Sequence, residues 1–185
     1  MATTRRVMVR LGYGAVTYRA VAQAADVSPG LVQYHFPQLE ALFVAVAEAG
    51  TEEAVEYLQA LAGRPRPLRA LWRYTNDAAG AAVLGQLMAL AARSTVVGAA
   101  LARGGEQVRA AMIEMIERSG NDYSLHSIAV TPAALVFALT AIPRMLHLES
   151  AYGVELGHAD TVAFVEELLD RLEPLDPTDR VEATR

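Results

Sequence analysis

Ser28, Pro29, Gly30, Gln33, Tyr34 and His35 crowd into the segment DVSPGLVQYHF, residues 26–36. Ser28 is a good N-cap, because its hydroxyl can accept from the free amides of the turn that follows. Pro29 loses nothing at a first helical position, where its missing N–H has no helical partner. Gly30 leaves the start of that helix room to approach another surface. Leu31 and Val32 are left to anchor the helix or to meet thymine methyls. Gln33, Tyr34 and His35 then project hydrogen-bonding groups of the kind that meet base edges and phosphate oxygens. A helix N-terminus itself favours phosphate through its exposed amides and dipole. Spacing alone leaves a second reading open: a short capped helix in a loop, with Tyr34 and His35 half buried.

Charge and composition narrow the surroundings. The chain has 185 residues, 53% of them hydrophobic, with no cysteine and a net charge of −5. No cysteine means no disulfide, thiolate metal site or Cys nucleophile. All sixteen basic residues are arginine. Residues 1–36 carry Arg5, Arg6, Arg10 and Arg19 against Asp26 alone, a net of +3, while the rest carries −8. A basic head on an acidic body suits one end meeting a polyanion. No apolar run approaches the roughly 20 residues of a membrane span. The start, MATTRRVMVRLGYG, has no apolar signal region. A cytoplasmic protein with no membrane partner is expected.

The elements that must position the polar segment are helical almost throughout. Val7, Met8 and Leu11 predict a short first helix ending at Gly12. Thr17 can cap a second helix through Ala25. Asp26, Val27 and Ser28 form a turn, and a third helix runs from Pro29 to about His35. Two short helices joined by such a turn make a helix-turn-helix. A long fourth helix spans Gln38 to Leu61, softened near Gly50 and Thr51, and GRPRP at 63–67 ends it. Leu68, Leu71 and Trp72 mark a fifth, and Leu84, Leu87, Met88 and Ala91 a sixth. Ser94 or Thr95 can cap a seventh, with Gly104 and Gly105 as a soft spot. Residues 119–130 are the longest irregular stretch, where Asp122, Tyr123 and His126 are expected in solvent. Thr131 and Pro132 open an eighth helix to about Tyr152, kinked at Pro143. A ninth covers about Asp160 to Leu172. With no sustained period-two alternation, the fold is expected to be all-α.

The stretch TYRAVAQAADVSPGLVQYHFPQLEAL, residues 17–42, resembles the N-terminal signature of TetR-family transcriptional repressors. The residues that carry it are Thr17, Arg19, Val21, Ala22, Ala25, the Val27–Ser28 turn, Gly30, Val32, the His35–Phe36 pair and Leu42. The resemblance implies a TetR-like fold: a three-helix DNA-binding head over 1–46, then a ligand-binding and dimerisation body of about six helices over 47–185. It implies phosphate contacts from Thr17 and Tyr18, and a backbone or guanine contact from Arg19. Ser28, Pro29, Gly30, Gln33 and Tyr34 would face the major groove, with His35 near the backbone and Phe36 plugging the head's core. The chain departs from the pattern at four places. Gln33 stands where a phosphate-contacting Tyr is common, Leu39 where a Lys is, and Asp26 where the turn usually has Gly. The first helix is shorter than the family's.

The body has no catalytic spacing: no HExxH, nucleophile elbow, GxGxxG or phosphate-binding loop. No enzyme activity, cofactor or metal site is expected, since His126, His147 and His158 are scattered. In the family, the fifth to eighth helices enclose an apolar cavity, which makes Trp72, Met88, Met112 and Phe137 the ligand-pocket candidates, although each also suits an ordinary core. The eighth helix is apolar on two faces, Leu135, Ala138, Leu139, Ile142 and Leu146 on one and Phe137, Ala141, Met145 and Leu148 on the other. One face would meet the pocket and the other a second subunit. The expected function is a homodimeric, ligand-responsive regulator, a repressor on a near-palindromic double-stranded DNA operator. A small apolar or amphipathic effector would release it. The shortened first helix raises an alternative, a dimeric small-molecule-binding protein with weak or lost DNA binding.

Overall fold

The computed structural model describes residues 1–125 and 128–174. Nine α-helices account for most of them: α1 Ala2–Leu11, α2 Tyr18–Ala25, α3 Pro29–His35, α4 Leu39–Leu61, α5 Pro67–Thr75, α6 Ala78–Ala91, α7 Thr95–Glu117, α8 Pro132–Ser150 and α9 His158–Leu172. A 3-10 turn, Tyr13–Ala15, separates α1 from α2. In the stretch expected to be irregular, β1 Ser124–Leu125 pairs antiparallel with β2 Ile128–Ala129. The two-residue ladder is a small departure from a purely helical chain. No described helix is long and apolar enough to cross a membrane.

Packing divides the chain into two units. The first joins Met1–Ala60 to Asp77–Ala111, and the second joins Leu61–Asn76 to the chain from Met112 onward. The short α1 contributes only Val7 and Met8 to the apolar cluster of the first unit. That cluster is completed by Val21, Val32 and Phe43, and also by Leu87 of α6 and Val97 of α7. A head too small to close its own core is thus filled in from further along the chain.

The two places expected to be soft are unbroken helix. Gly104 meets α4 directly: a Cβ there would overlap the Thr51 hydroxyl. Thr51 turns its own proton back to the Ala47 carbonyl at 3.0 Å. The glycine serves close approach of two helices, not flexibility.

In the second unit the start of α5 is capped from the far end of the chain. Arg66, its N-cap, makes no side-chain capping bond to the helix. Instead the buried Glu173 carboxylate, just past α9, accepts from the Leu68 amide at 2.9 Å and the Arg69 amide at 3.0 Å. A carboxylate at a helix N-terminus satisfies orphan amides and complements the dipole. Arg69 extends the tie by pairing with Asp170 and donating to the Glu173 carbonyl. Tyr123 donates to Glu173 at 2.8 Å and is 6% exposed. This corrects the expectation that Tyr123 is solvated, since its phenol has a buried acceptor. Burial, with Glu173 beside it, pushes the phenol up to about 12. Asp122 is exposed, and His126 lies outside the described residues.

Candidate nucleic-acid interface

Two local caps build the helix-turn-helix. The Thr17 hydroxyl accepts from the Ala20 amide at 3.1 Å, and Ser28 from Leu31 at 3.2 Å, with Pro29 in the first turn. Asp26 closes α2 in the left-handed region, at φ 55° and ψ 47°. A short polar side chain tolerates that conformation. The Val27 amide then reaches back to the Ala22 carbonyl at 3.0 Å, the long bond of a Schellman ending. These bonds fix the turn without a glycine.

Of α3, only Val32 is buried. Thr17, Arg19, Ser28, Pro29, Gly30, Gln33, Tyr34 and His35 are all exposed, so the reading with Tyr34 and His35 half buried does not hold. Tyr34 is 80% exposed, and its ring meets His35 edge-on at 5.4 Å. Tyr18 is the exception among the predicted contacts. It is half buried against the core, as Phe36 is, which leaves its outer part to solvent. Leu31 is 46% exposed, so Val32 anchors the helix while Leu31 stays at the surface. Leu39 also packs on the head's core, which explains an apolar residue there.

The basic balance of the head is smaller at its surface than in its sequence. Arg5 is paired with Glu53 of α4 at 2.5 Å, and its side chain is 24% exposed. Its Nη2 is buried with no hydrogen-bond partner among the described residues. Arg6, Arg10 and Arg19 are exposed.

Residues 1–46 match the family model described as bacterial regulatory proteins, tetR family. The head is thus similar in sequence to tetR-family regulators. No curated protein matches the chain in sequence. Solved structures match it along most of its length. A chain from Rhodococcus sp. assigned to the TetR family is 20% identical, with a TM-score of 0.70 over 93% of this chain and 95% of that one. A bacterial regulatory protein in the tetR family from Rhodococcus RHA1 is 21% identical, with a TM-score of 0.61 over 95% of each chain. The multidrug binding protein EbrR, complexed with imidazole, is 24% identical, with a TM-score of 0.59 over 96% and 94%. At these identities the likeness shows the fold alone: over most of its length the chain folds as TetR-family structures do.

Beyond the head, the four pocket candidates separate. Trp72 and Met112 are buried, at 5% and 4% exposure, whereas Met88 is 44% and Phe137 57% exposed. Solvent therefore reaches Met88 and Phe137 in the single chain. The indole N–H of Trp72 donates to Glu166 at 2.6 Å, so Trp72 also ties α5 to α9. It borders a recess of about 160 Å³ with Arg69, Arg73, Glu166 and Leu169. In the first unit a polar groove of about 220 Å³ is lined by Glu48, Glu52, Arg103 and Gln107 over Thr51, Ala100 and Gly104. Both fall below the ~300–1,000 Å³ usual for small-molecule sites. Among the described residues no three His, Asp or Glu side chains gather to hold a metal. His158 pairs with Glu149 at 2.8 Å, a contact across the α8–α9 loop that helical spacing could not reveal.

Proposed function

We propose that the chain is a homodimeric, DNA-binding transcriptional regulator that acts as a repressor on a near-palindromic operator. The observation that carries this reading is the exposed row on α2 and α3, Thr17, Arg19, Ser28 to Gly30, Gln33, Tyr34 and His35, on a head that matches the tetR family. Gln33 suits a bidentate contact to adenine and Arg19 one to guanine. The start of α3, and separately Thr17 and Tyr18 at the start of α2, suit phosphate. Two such heads in successive major grooves would stand about 34–36 Å apart.

The exposed apolar side chains of the last two helices support the dimer. Phe137, Met145 and Leu148 of α8 are each more than half exposed, and Phe164 of α9 is 63% exposed. Large apolar side chains left exposed on helix faces in this way suit an association surface. A small apolar or amphipathic effector is the proposed release signal. The EbrR complex with imidazole and the buried Trp72 and Met112 favour it. Effector and operator would then oppose each other reciprocally.

Fluorescence titration of duplex DNA from the region upstream of the protein's own gene tests the reading. Tight, salt-sensitive binding that Arg19→Ala and Tyr34→Ala weaken is expected. Tight binding that those variants leave unchanged overturns the helix-turn-helix assignment. Absence of binding at low salt favours the dimeric small-molecule-binding alternative. Sedimentation velocity tests the dimer, which Phe164→Glu should dissociate.

A further inference from the structure

The helix-turn-helix is gripped at both ends by the α6–α7 corner. In front of it, the Tyr13 amide donates to the Gln86 side-chain oxygen of α6 at 2.9 Å. An amide can only donate, so the carboxamide orientation is fixed. Tyr13 opens the 3-10 turn, where a first-turn N–H has no partner within its own helix. Gly12, at φ 80°, makes the bend that presents this amide, and a Cβ there would stand 3.8 Å from the same Gln86 oxygen. Behind the helix-turn-helix, the Ser94 hydroxyl at the start of α7 donates to the Glu40 carboxylate of α4 at 2.5 Å. Ser94 is buried, and its oxygen also accepts from the Val97 amide at 3.4 Å.

All of α2, the turn and α3 lie between Tyr13 and Glu40. Leu87 and Val97, next to the two polar holders, sit in the head's own core. Apolar packing supplies adhesion without direction, whereas a hydrogen bond prefers one distance and angle. The apolar pair therefore attaches the corner to the head, and the polar pair sets the angle at which the head is held.

We infer that Gln86 and Ser94, which bond Tyr13 and Glu40, are positioning residues for DNA recognition that fix the orientation of the helix-turn-helix without touching DNA. The inference rests on the proposed DNA-binding function and adds residues outside the reading face.

The test compares acceptor-removing with acceptor-keeping variants. Gln86→Met with Glu40→Met removes both acceptors and leaves Ser94 to cap α7. Gln86→Glu with Glu40→Gln keeps an acceptor at each place. The probe is the duplex that the wild-type protein selects from a random-sequence pool, together with versions one base pair longer or shorter between half-sites. The Met pair is expected to bind the selected duplex about tenfold more weakly and to discriminate less between spacings. The Glu/Gln pair should stay near wild type in both, and the slope of affinity against salt should not change. Wild-type affinity and spacing preference in the Met pair, or an equal loss in the Glu/Gln pair, overturns the inference. If the wild type selects no duplex, the function proposal fails by itself. Amide hydrogen exchange then decides the positioning role: faster exchange throughout residues 13–40 in the Met pair supports it, and a change confined to Tyr13 overturns it.

Discussion

The Thr75 hydroxyl lies 2.9 Å from the Leu139 carbonyl, the group that Pro143 leaves without its helical donor. A proline inside a helix removes the bond to the carbonyl one turn back. Here α8 continues from Pro132 to Ser150 regardless, and the Thr75 hydroxyl of α5, which also reaches the Leu71 and Trp72 carbonyls at 3.0 and 3.2 Å, stands nearest to the stranded oxygen. Thr75→Val is expected to cost about 1–2 kcal/mol, the range for stranding a buried carbonyl. Adding Pro143→Ala restores an amide donor, so the double variant should lose less than the sum of the singles. Urea unfolding of the four proteins measures the coupling, and strict additivity would remove Thr75 from this role.

Tyr123 gives stability a dependence on alkaline pH. Its phenol is raised from 10.0 to about 12, chiefly by burial, with Glu173 adding to the rise. The folded state then holds this proton more tightly than the unfolded chain. Stability from this source is complete below pH 10 and is lost as pH climbs toward 12. Subtracting the Tyr123→Phe profile from the wild-type profile should isolate a fall in that window. A flat difference would show that the phenol titrates alike in both states.

Adjacent glycines of α7 should respond in opposite ways. Gly104→Ala places a methyl against Thr51, and overpacking of this kind costs about 1–3 kcal/mol. A Cβ at Gly105 meets nothing within 4 Å, so Gly105→Ala should be neutral or stabilise by up to about 1 kcal/mol. Thr51→Ala should relieve the Gly104→Ala defect. Thermal melts of these variants check the contrast.

Within α3, stability and recognition should separate two residues apart. Val32 is 8% exposed and Tyr34 80%. Val32→Ala is expected to destabilise the first unit by about 1–3 kcal/mol. Tyr34→Ala should leave stability within about 0.5 kcal/mol while weakening binding to the selected duplex. Calorimetry paired with a DNA titration reads both, and a large stability loss for Tyr34→Ala would place its ring in the core.

The parts of this molecule legible in its sequence are those whose chemistry is local. Thr17, Ser28 and Thr131 each cap an amide three residues ahead, and Asp26 bends the chain at its own φ. Such signals depend on neighbours in the chain, so residue type and spacing carry them. The Glu173 cap on Leu68 spans 105 residues, and the Gln86 bond to Tyr13 spans 73. Periodicity holds no record of either. Met88 and Phe137 show a related limit, because an apolar residue on a helix does not say which of its faces meets solvent. Sequence places Tyr123 correctly in a loop but gives no sign of its burial, because its acceptor comes from beyond the last helix.

Leu39 carries a consequence for how such a protein would search a genome. Its side chain packs against the head's core, at the position where the TetR resemblance implies a phosphate-contacting Lys. Backbone contacts are blind to sequence and hold a protein on any duplex. A DNA reader with one fewer of them spends less time on wrong sites and relies more on the bases it recognises. Its occupancy of the correct site would then follow its own copy number closely, because little of it is stored elsewhere along the chromosome.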